Sequence, residues 1–140
     1  MNEIITTFKK VHRHVEKKIG EYKKTSTINF YKDKFTLEER KKQSKMIMEK
    51  YPKRIPVICD VSKQLPDLDK HKYLIPDDLK SETFMFLIRK RMNLSPETAL
   101  YFFVNEKVMY SSCLMVQIYN KYKDEDGFLY IHACAESTFG

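Results

Sequence analysis

Glycine is scarce in this sequence, which contains only Gly20, Gly127 and Gly140. Loops that cradle phosphate groups and dinucleotide-binding fingerprints need several closely spaced glycines, so both kinds of nucleotide site are excluded. No apolar run approaches the about 20 residues of a membrane-spanning helix. The N-terminal residues MNEIITTFKK also lack the apolar core of a secretory signal.

Cysteine is equally rare and does not occur in pairs. Cys59, Cys113 and Cys134 are odd in number, lie in apolar stretches and never stand at CxxC spacing. This pattern predicts buried, reduced thiols rather than disulfides or a zinc site, and hence a cytosolic protein. The length of 140 residues is typical of one domain with one hydrophobic core.

Positive charge is concentrated in the first third of the chain. Residues 1–54 contain 16 Lys and Arg against 7 Asp and Glu, whereas residues 55–140 contain 10 against 12. A basic segment attached to a nearly neutral body indicates either an anionic partner or a solvated basic face. Nucleic acid is a minor alternative, because no RNA- or DNA-binding motif accompanies the charge.

The N-terminal part of the chain predicts two helices. Residues 5–24 carry apolar side chains at spacings of three and four opposite a basic face, and residues 25–30 are typical of a linker. Thr36 and Glu39 form a capping-box pattern that begins a second helix, which ends before Pro52. Its predicted buried side consists of Leu37, Ile47, Met48 and Tyr51.

The rest of the chain predicts four strands with helices between them. Strands are predicted at 54–61, 72–76, 99–105 and over FLYIHAC, with a helix at 81–93 capped by Ser81 and another over SSCLMVQIYNKY. A single helical turn is predicted after Ser95, and Gly127 suits the positive φ of a turn. The order β-β-α-β-α-β predicts an α+β, ubiquitin-like β-grasp fold with two additional N-terminal helices.

The residues that most often perform catalysis do not cluster in the sequence. His12 and His14 point in different directions on a helix, and His132 and Cys134 lack a third group to orient a nucleophile. KDEDG lacks the remaining ligands of a calcium loop. We expect no enzyme activity, no cofactor and no metal site.

Several stretches in order resemble one known family. KYPKRIPVIC, DKHKYLIPDDL, FLIRKRMNL, ALYFFVN, YKDEDGFLYI and the terminal STFG are similar to the autophagy ubiquitin-like modifiers, the eighth autophagy-related protein family. This family includes the GABA-receptor-associated protein and the microtubule-associated light chains. The resemblance covers about residues 30–140. We therefore divide the chain into a basic N-terminal extension, 1–29, and a ubiquitin-like domain, 30–140, with an N-terminal helical subdomain and a glycine tail.

The resemblance implies a modifier that is itself a substrate of other enzymes. Gly140 would be activated, passed as a thioester between cysteines of activating and conjugating enzymes, and joined to phosphatidylethanolamine. A processing and delipidating cysteine protease would expose or release it, so Gly140 is either the encoded end or the product of trimming. The protein would lie in the cytoplasm and, once lipidated, on the autophagosome membrane, where it recruits cargo receptors bearing short linear motifs.

The resemblance also implies a docking surface for aromatic-x-x-aliphatic peptides beside the strand Lys72–Ile75. The aromatic pocket matches Ile47, Pro56, Ile58, Lys72, Leu74 and Phe128. The aliphatic pocket matches Tyr73, Ile75, Pro76, Leu79, Phe84 and Leu87. Arg54 and Arg91 match basic positions that contact acidic residues flanking the motif, and Tyr101 and Phe103 match contacts of the processing and conjugation machinery. Without the resemblance, each apolar position is explained as core.

Three departures from the family pattern stand out. Phe35-Thr36-Leu37 replaces an aromatic-Pro-Phe run, and Gln43 stands where an acidic residue often meets the ring nitrogen of Trp. The first 25 or so residues exceed the usual length. As a basic amphipathic helix, this extension would lie on an anionic membrane and aid tethering, or it would be a helix packed on the body or a free arm. A non-conjugated module that binds peptides or cytoskeleton is the alternative function.

Overall fold

A five-stranded mixed sheet forms the body of the protein. The computed structural model describes residues 29–109 and 112–135. The predicted helix at 5–24 and Gly140 lie outside the described residues. Within them, the elements are α1 (Asn29–Lys34), α2 (Leu37–Lys50), β1 (Arg54–Val61), β2 (Lys72–Pro76), α3 (Ser81–Met92), β3 (Leu100–Val104), β4 (Lys107–Val108), α4 (Met115–Tyr122) and β5 (Leu129–Ala135).

The strand order, β2-β1-β5-β3-β4, is that of a β-grasp sheet. β1 and β5 form the central parallel pair, with Val57 opposite Leu129, and β2 pairs antiparallel with the outer side of β1. β3 pairs antiparallel with β5 on the other side. The predicted fold class is confirmed, and β2 is an edge strand beside α2. None of the described helices is long and apolar enough to cross a bilayer.

The predicted start and end of α2 are confirmed. Thr36 is the N-cap, and its hydroxyl accepts a hydrogen bond of 3.2 Å from the Glu39 N–H. The helix ends at Lys50, where the Tyr51 N–H still donates to the Ile47 carbonyl before Pro52. The predicted buried side is wrong, because Tyr51 is 40% exposed and Leu37, Ile47 and Met48 are only half-buried. The two buried residues of α2 are instead polar, Arg40 and Ser44.

The predicted cap of α3 is also wrong. Lys80 is the N-cap, and Ser81 is the first helical residue and fully buried. The reason is a tertiary contact, since the Ser81 N–H donates to the Cys113 carbonyl at 2.8 Å. Phe84 is buried as predicted, and the helix ends at Asn93 in the left-handed conformation.

Two short elements were not predicted, and one predicted element is absent. Asn29 begins α1 inside the predicted linker. β3 and β4 are joined by Asn105 and Glu106, both at positive φ, which matches a two-residue hairpin turn without its usual glycine. The predicted helical turn after Ser95 is a simple turn, in which the Thr98 N–H donates to the Ser95 carbonyl at 3.0 Å.

Two apolar clusters lie on opposite faces of the sheet. The larger one joins the sheet to α3 and α4 and includes Phe84 and Cys59. The smaller one lies under α1 and α2 and consists of Tyr31, Ile58, Phe128 and Tyr130, with Phe35 and Ile47 packed against it. None of the three cysteines, all of which lie in the described ranges, forms a disulfide, but Cys113 is only half-buried, which corrects the prediction for that residue.

Candidate functional site

An open groove of 540 Å³ follows the outer edge of β2 and is lined by residues from both faces of the sheet. Its walls come from α2, β1, β2, the last turn of α3 and the residue before β5. The lining residues are Ile47, Arg54, Pro56, Val57, Lys70, Lys72, Tyr73, Leu74, Arg91 and Phe128.

Half of the backbone groups of β2 face this groove rather than β1. The Cys59 N–H donates to the His71 carbonyl at 2.9 Å, so hydrogen-bonded pairs alternate from this position along β1 and β2. Lys72 and Leu74 belong to the other set, and their N–H and C=O groups point away from β1. Pro56, opposite Leu74, has no N–H to give, which fits this register. The groove therefore has the backbone groups with which an extended peptide can add a strand.

Five of the six residues predicted for an aromatic pocket line this groove together. They come from α2, β1, β2 and the residue before β5, and are Ile47, Pro56, Lys72, Leu74 and Phe128. Ile58 is the exception. It lies on the same face of β1 as Pro56 but is buried in the small cluster beneath Tyr31 and Phe128. Ile58 is therefore a core residue that supports the floor of the groove.

Lys72 lines the groove and contacts residues of α1 and α2. Its ammonium group lies 4.6 Å from the ring centroid of Tyr31 and donates to Gln43 Oε1 at 3.2 Å. Partial burial, together with the nearby charge of Lys34, lowers the pKa of Lys72. The Tyr31 hydroxyl donates to the same oxygen of Gln43. The amide oxygen of Gln43 is thus held by two donors from α1 and β2.

Both predicted basic residues line the groove. The Arg54 guanidinium lies 3.3 Å from the Leu74 carbonyl, and Arg91 Nη1 forms an exposed ion pair of 3.1 Å with Asp69. Lys70, which sequence reasoning missed, brings the lining cations to four with Lys72, and the lining contains no acidic residue. A loop lysine without periodicity carries no sequence signal for this role.

The residues predicted for an aliphatic pocket differ in how far they are accessible. Tyr73, Ile75 and Phe84 belong to the large core cluster, whereas Leu79 and Pro76 are half-buried and Leu87 is 42% exposed. The rings of Tyr73 and Phe84 pack edge to face at 6.4 Å. Burial raises the pKa of Tyr73 to about 12. Half of this set is therefore interior, and Leu79, Pro76 and Leu87 supply its accessible surface.

Tyr101 and Phe103 lie on β3, away from the groove. Phe103 lies opposite His132 of β5 and is fully buried, whereas Tyr101 lies opposite Cys134 of β5 and is half-buried. Of the two, Tyr101 is the residue with accessible side-chain surface in this structure. Within the described ranges, no three His, Cys, Asp or Glu side chains are grouped to hold a metal ion.

Comparison with known proteins identifies the family. The model of the family described as "Autophagy protein Atg8 ubiquitin like" matches residues 39–140. The chain belongs to the Atg8 family. It is thus a ubiquitin-like modifier of autophagy.

The match between this Atg8-family chain and its curated relatives spans nearly the whole length of those relatives. Autophagy-related protein 8 of Schizosaccharomyces pombe is 50% identical over 112 residues, which is 79% of this chain and 93% of that protein. Autophagy-related protein 8 of Mycosarcoma maydis is 46% identical over 112 residues, 79% of this chain and 95% of that protein.

Solved Atg8 structures share the fold. The crystal structure of Trypanosoma brucei ATG8 matches with a TM-score of 0.72 and 42% identity, covering 79% of this chain and 97% of that one. Plasmodium falciparum Atg8, solved in complex with a Plasmodium falciparum Atg3 peptide, matches with a TM-score of 0.68 and 34% identity, covering 74% and 93%.

Proposed function

We propose that this protein is joined through Gly140 to phosphatidylethanolamine and then recruits proteins that carry aromatic-x-x-aliphatic peptides. The observation that carries the docking half of the proposal is the groove beside β2. It combines the edge strand of the described sheet, an apolar floor and four cationic side chains.

The charges of the groove favour an acidic peptide. Arg54, Lys70, Lys72 and Arg91 line it without a lining carboxylate. Opposite charges across an interface speed association and exclude wrongly charged partners. Glu or Asp residues flanking the peptide's aromatic residue therefore complement the groove, and the peptide backbone extends the sheet at Lys72 and Leu74.

The conjugation half of the proposal draws on membership of the family. The match to the Atg8 family extends to Gly140. A terminal glycine has no side chain to obstruct the narrow active sites of activating and conjugating enzymes. Among the relatives, Plasmodium falciparum Atg8 was solved with an Atg3 peptide. We propose that the corresponding conjugating enzyme docks on this chain, with Tyr101 as a further contact. A cysteine protease would process and delipidate the protein, which shuttles between cytoplasm and autophagosome membrane.

Reconstitution tests conjugation directly. Purified protein is incubated with ATP, the cognate activating and conjugating enzymes, and liposomes containing phosphatidylethanolamine, and the product is analysed by mass spectrometry. We expect the lipid adduct on Gly140 and its loss in Gly140→Ala. No adduct on the wild type, or equal adduct on the variant, refutes conjugation. Peptide binding without any adduct would favour a non-conjugated peptide-binding module.

Fluorescence polarisation tests docking. A labelled acidic peptide with an aromatic-x-x-aliphatic core is titrated with the wild type and with Leu74→Asp, which places a carboxylate on the floor of the groove. Lys63→Ala, at an exposed residue beyond the end of β1, is the control. We expect Leu74→Asp to weaken binding at least tenfold, which is about 1.4 kcal/mol. Equal affinity of the wild type and Leu74→Asp would place the peptide elsewhere.

A further inference from the structure

A buried ion pair connects α2 to the turn before β5. Arg40 Nη1 lies 2.7 Å from Asp126 Oδ2, and the two residues are only 9% and 1% exposed. Arg40 Nε also donates to the Phe35 carbonyl at 3.2 Å. Burial by itself would lower the pKa of Arg40, but the hydrogen bonds to Asp126 and Tyr130 and the charge of Asp126 outweigh it and raise that pKa.

Asp126 is the centre of a larger hydrogen-bond network. Its carboxylate accepts from the Tyr130 hydroxyl at 2.5 Å and from the Phe128 N–H at 2.8 Å. Its backbone carbonyl accepts from the Ser44 hydroxyl at 2.5 Å. One aspartate therefore joins α2, the turn and β5. A buried charge with this many partners is satisfied in one geometry and costly in any other.

This network adjoins, along the chain, two residues that line the groove. Ile47 follows Ser44 by three residues and Arg40 by seven, so all three share one face of α2. Phe128 follows Asp126 by two residues, and its N–H is one of the groups that the carboxylate holds. Ile47 and Phe128 both line the groove. Because α2 is a helix, no ladder of strand hydrogen bonds fixes its position relative to Phe128, the residue before β5.

We propose that Arg40 and Asp126 are positioning residues that set the distance between Ile47 and Phe128. They thereby shape the part of the groove that receives the peptide's aromatic side chain. This inference rests on the proposed docking function. A purely structural role would stabilise the whole domain without favouring the aromatic position of the peptide over any other.

Two peptides separate these roles. One has the acidic aromatic-x-x-aliphatic sequence, and the other has Ala in place of the aromatic residue. The dissociation constant of the Ala peptide divided by that of the aromatic peptide is the ratio that measures what the aromatic site contributes. Asp126→Asn removes the buried charge, and Glu125→Gln removes one charge from an exposed neighbour in the same turn. We expect the ratio to fall about tenfold in Asp126→Asn and to stay unchanged in Glu125→Gln.

Each alternative result has a distinct meaning. If Asp126→Asn leaves the ratio at the wild-type value, for example by weakening the binding of both peptides equally, the positioning role is overturned while docking stands. If the wild type binds neither peptide, the proposed docking function fails, and the positioning role fails with it.

A milder variant guards against loss of folding. Arg40→Lys keeps the charge but cannot reach both Asp126 and the Phe35 carbonyl. Methyl NMR of the peptide-free protein then compares Ile47 with Ile88, which is buried in the large core. We expect the Ile47 methyl resonance to move and the Ile88 resonance to stay. Unchanged resonances of both residues in Arg40→Lys contradict the positioning role.

Discussion

Gly127 lies in the turn before β5 at a φ of +90°, and an added Cβ there would lie 2.5 Å from Ser44 Oγ. A left-handed φ costs a residue with a side chain about 1–2 kcal/mol. Moving Ser44 Oγ away from the Asp126 carbonyl costs about 1 kcal/mol more. Alanine recovers about 0.4–1 kcal/mol by restricting the unfolded chain. Gly127→Ala should therefore lower the free energy of unfolding by about 2 kcal/mol.

Urea denaturation followed by far-UV circular dichroism measures this change, since the chain has no tryptophan to report unfolding. In a Ser44→Ala background the 2.5 Å contact is removed, although the 3.0 Å contact with the Ser44 Cβ remains. The cost of Gly127→Ala should then fall by about 1 kcal/mol. Glu125→Ala, at an exposed position of the same turn, is the control and should change stability by less than about 0.5 kcal/mol.

A cost of Gly127→Ala no larger than that control would refute the reasoning. So would an equal cost in the Ser44→Ala background, because the contact with Ser44 would then contribute nothing.

Three further predictions concern the core and its titrating groups. Cys113 is half-buried and should react with a thiol reagent in the native protein. Cys59 should react only in denaturant, because it is buried and burial raises its pKa. Equal reaction rates of the two thiols in the native protein would contradict this. Burial raises the pKa of both Tyr31 and Tyr73 to about 12. The unfolded tyrosines ionise near pH 10, so unfolding releases protons and stability should fall between about pH 10 and 12; a flat stability profile there would be the contrary result. Met115→Ala should cost about 2–5 kcal/mol in urea denaturation because Met115 is fully buried, and a cost under about 1 kcal/mol would contradict that packing.

Much of the fold was readable from local patterns. The cap at Thr36, the stop before Pro52 and the short β-branched run of β1 depend on neighbouring residues alone, and the structure confirms each. Gly127 was expected at positive φ and has it. The β3–β4 hairpin was missed because Asn105 and Glu106 adopt positive φ in its turn without the glycine that usually signals one.

The candidate site divides in the same way. Family resemblance pointed to Ile47, Leu74 and Phe128, and the structure brings them to one groove. Resemblance by position does not say which side chains reach the surface. Ile58 and Phe103 are interior because neighbouring side chains cover them, and their own positions along the strands do not reveal this.

Local patterns and composition establish the order of most elements, the scarcity of flexible positions and the basic character of the first third. These follow from spacing and composition, which are properties of neighbouring residues. The burial of Arg40 and Ser44 in α2, by contrast, depends on contacts with distant parts of the chain. A lysine- and arginine-rich helix shows no sign of which charge is interior, because its burial depends on Asp126, a partner 86 residues away in the chain.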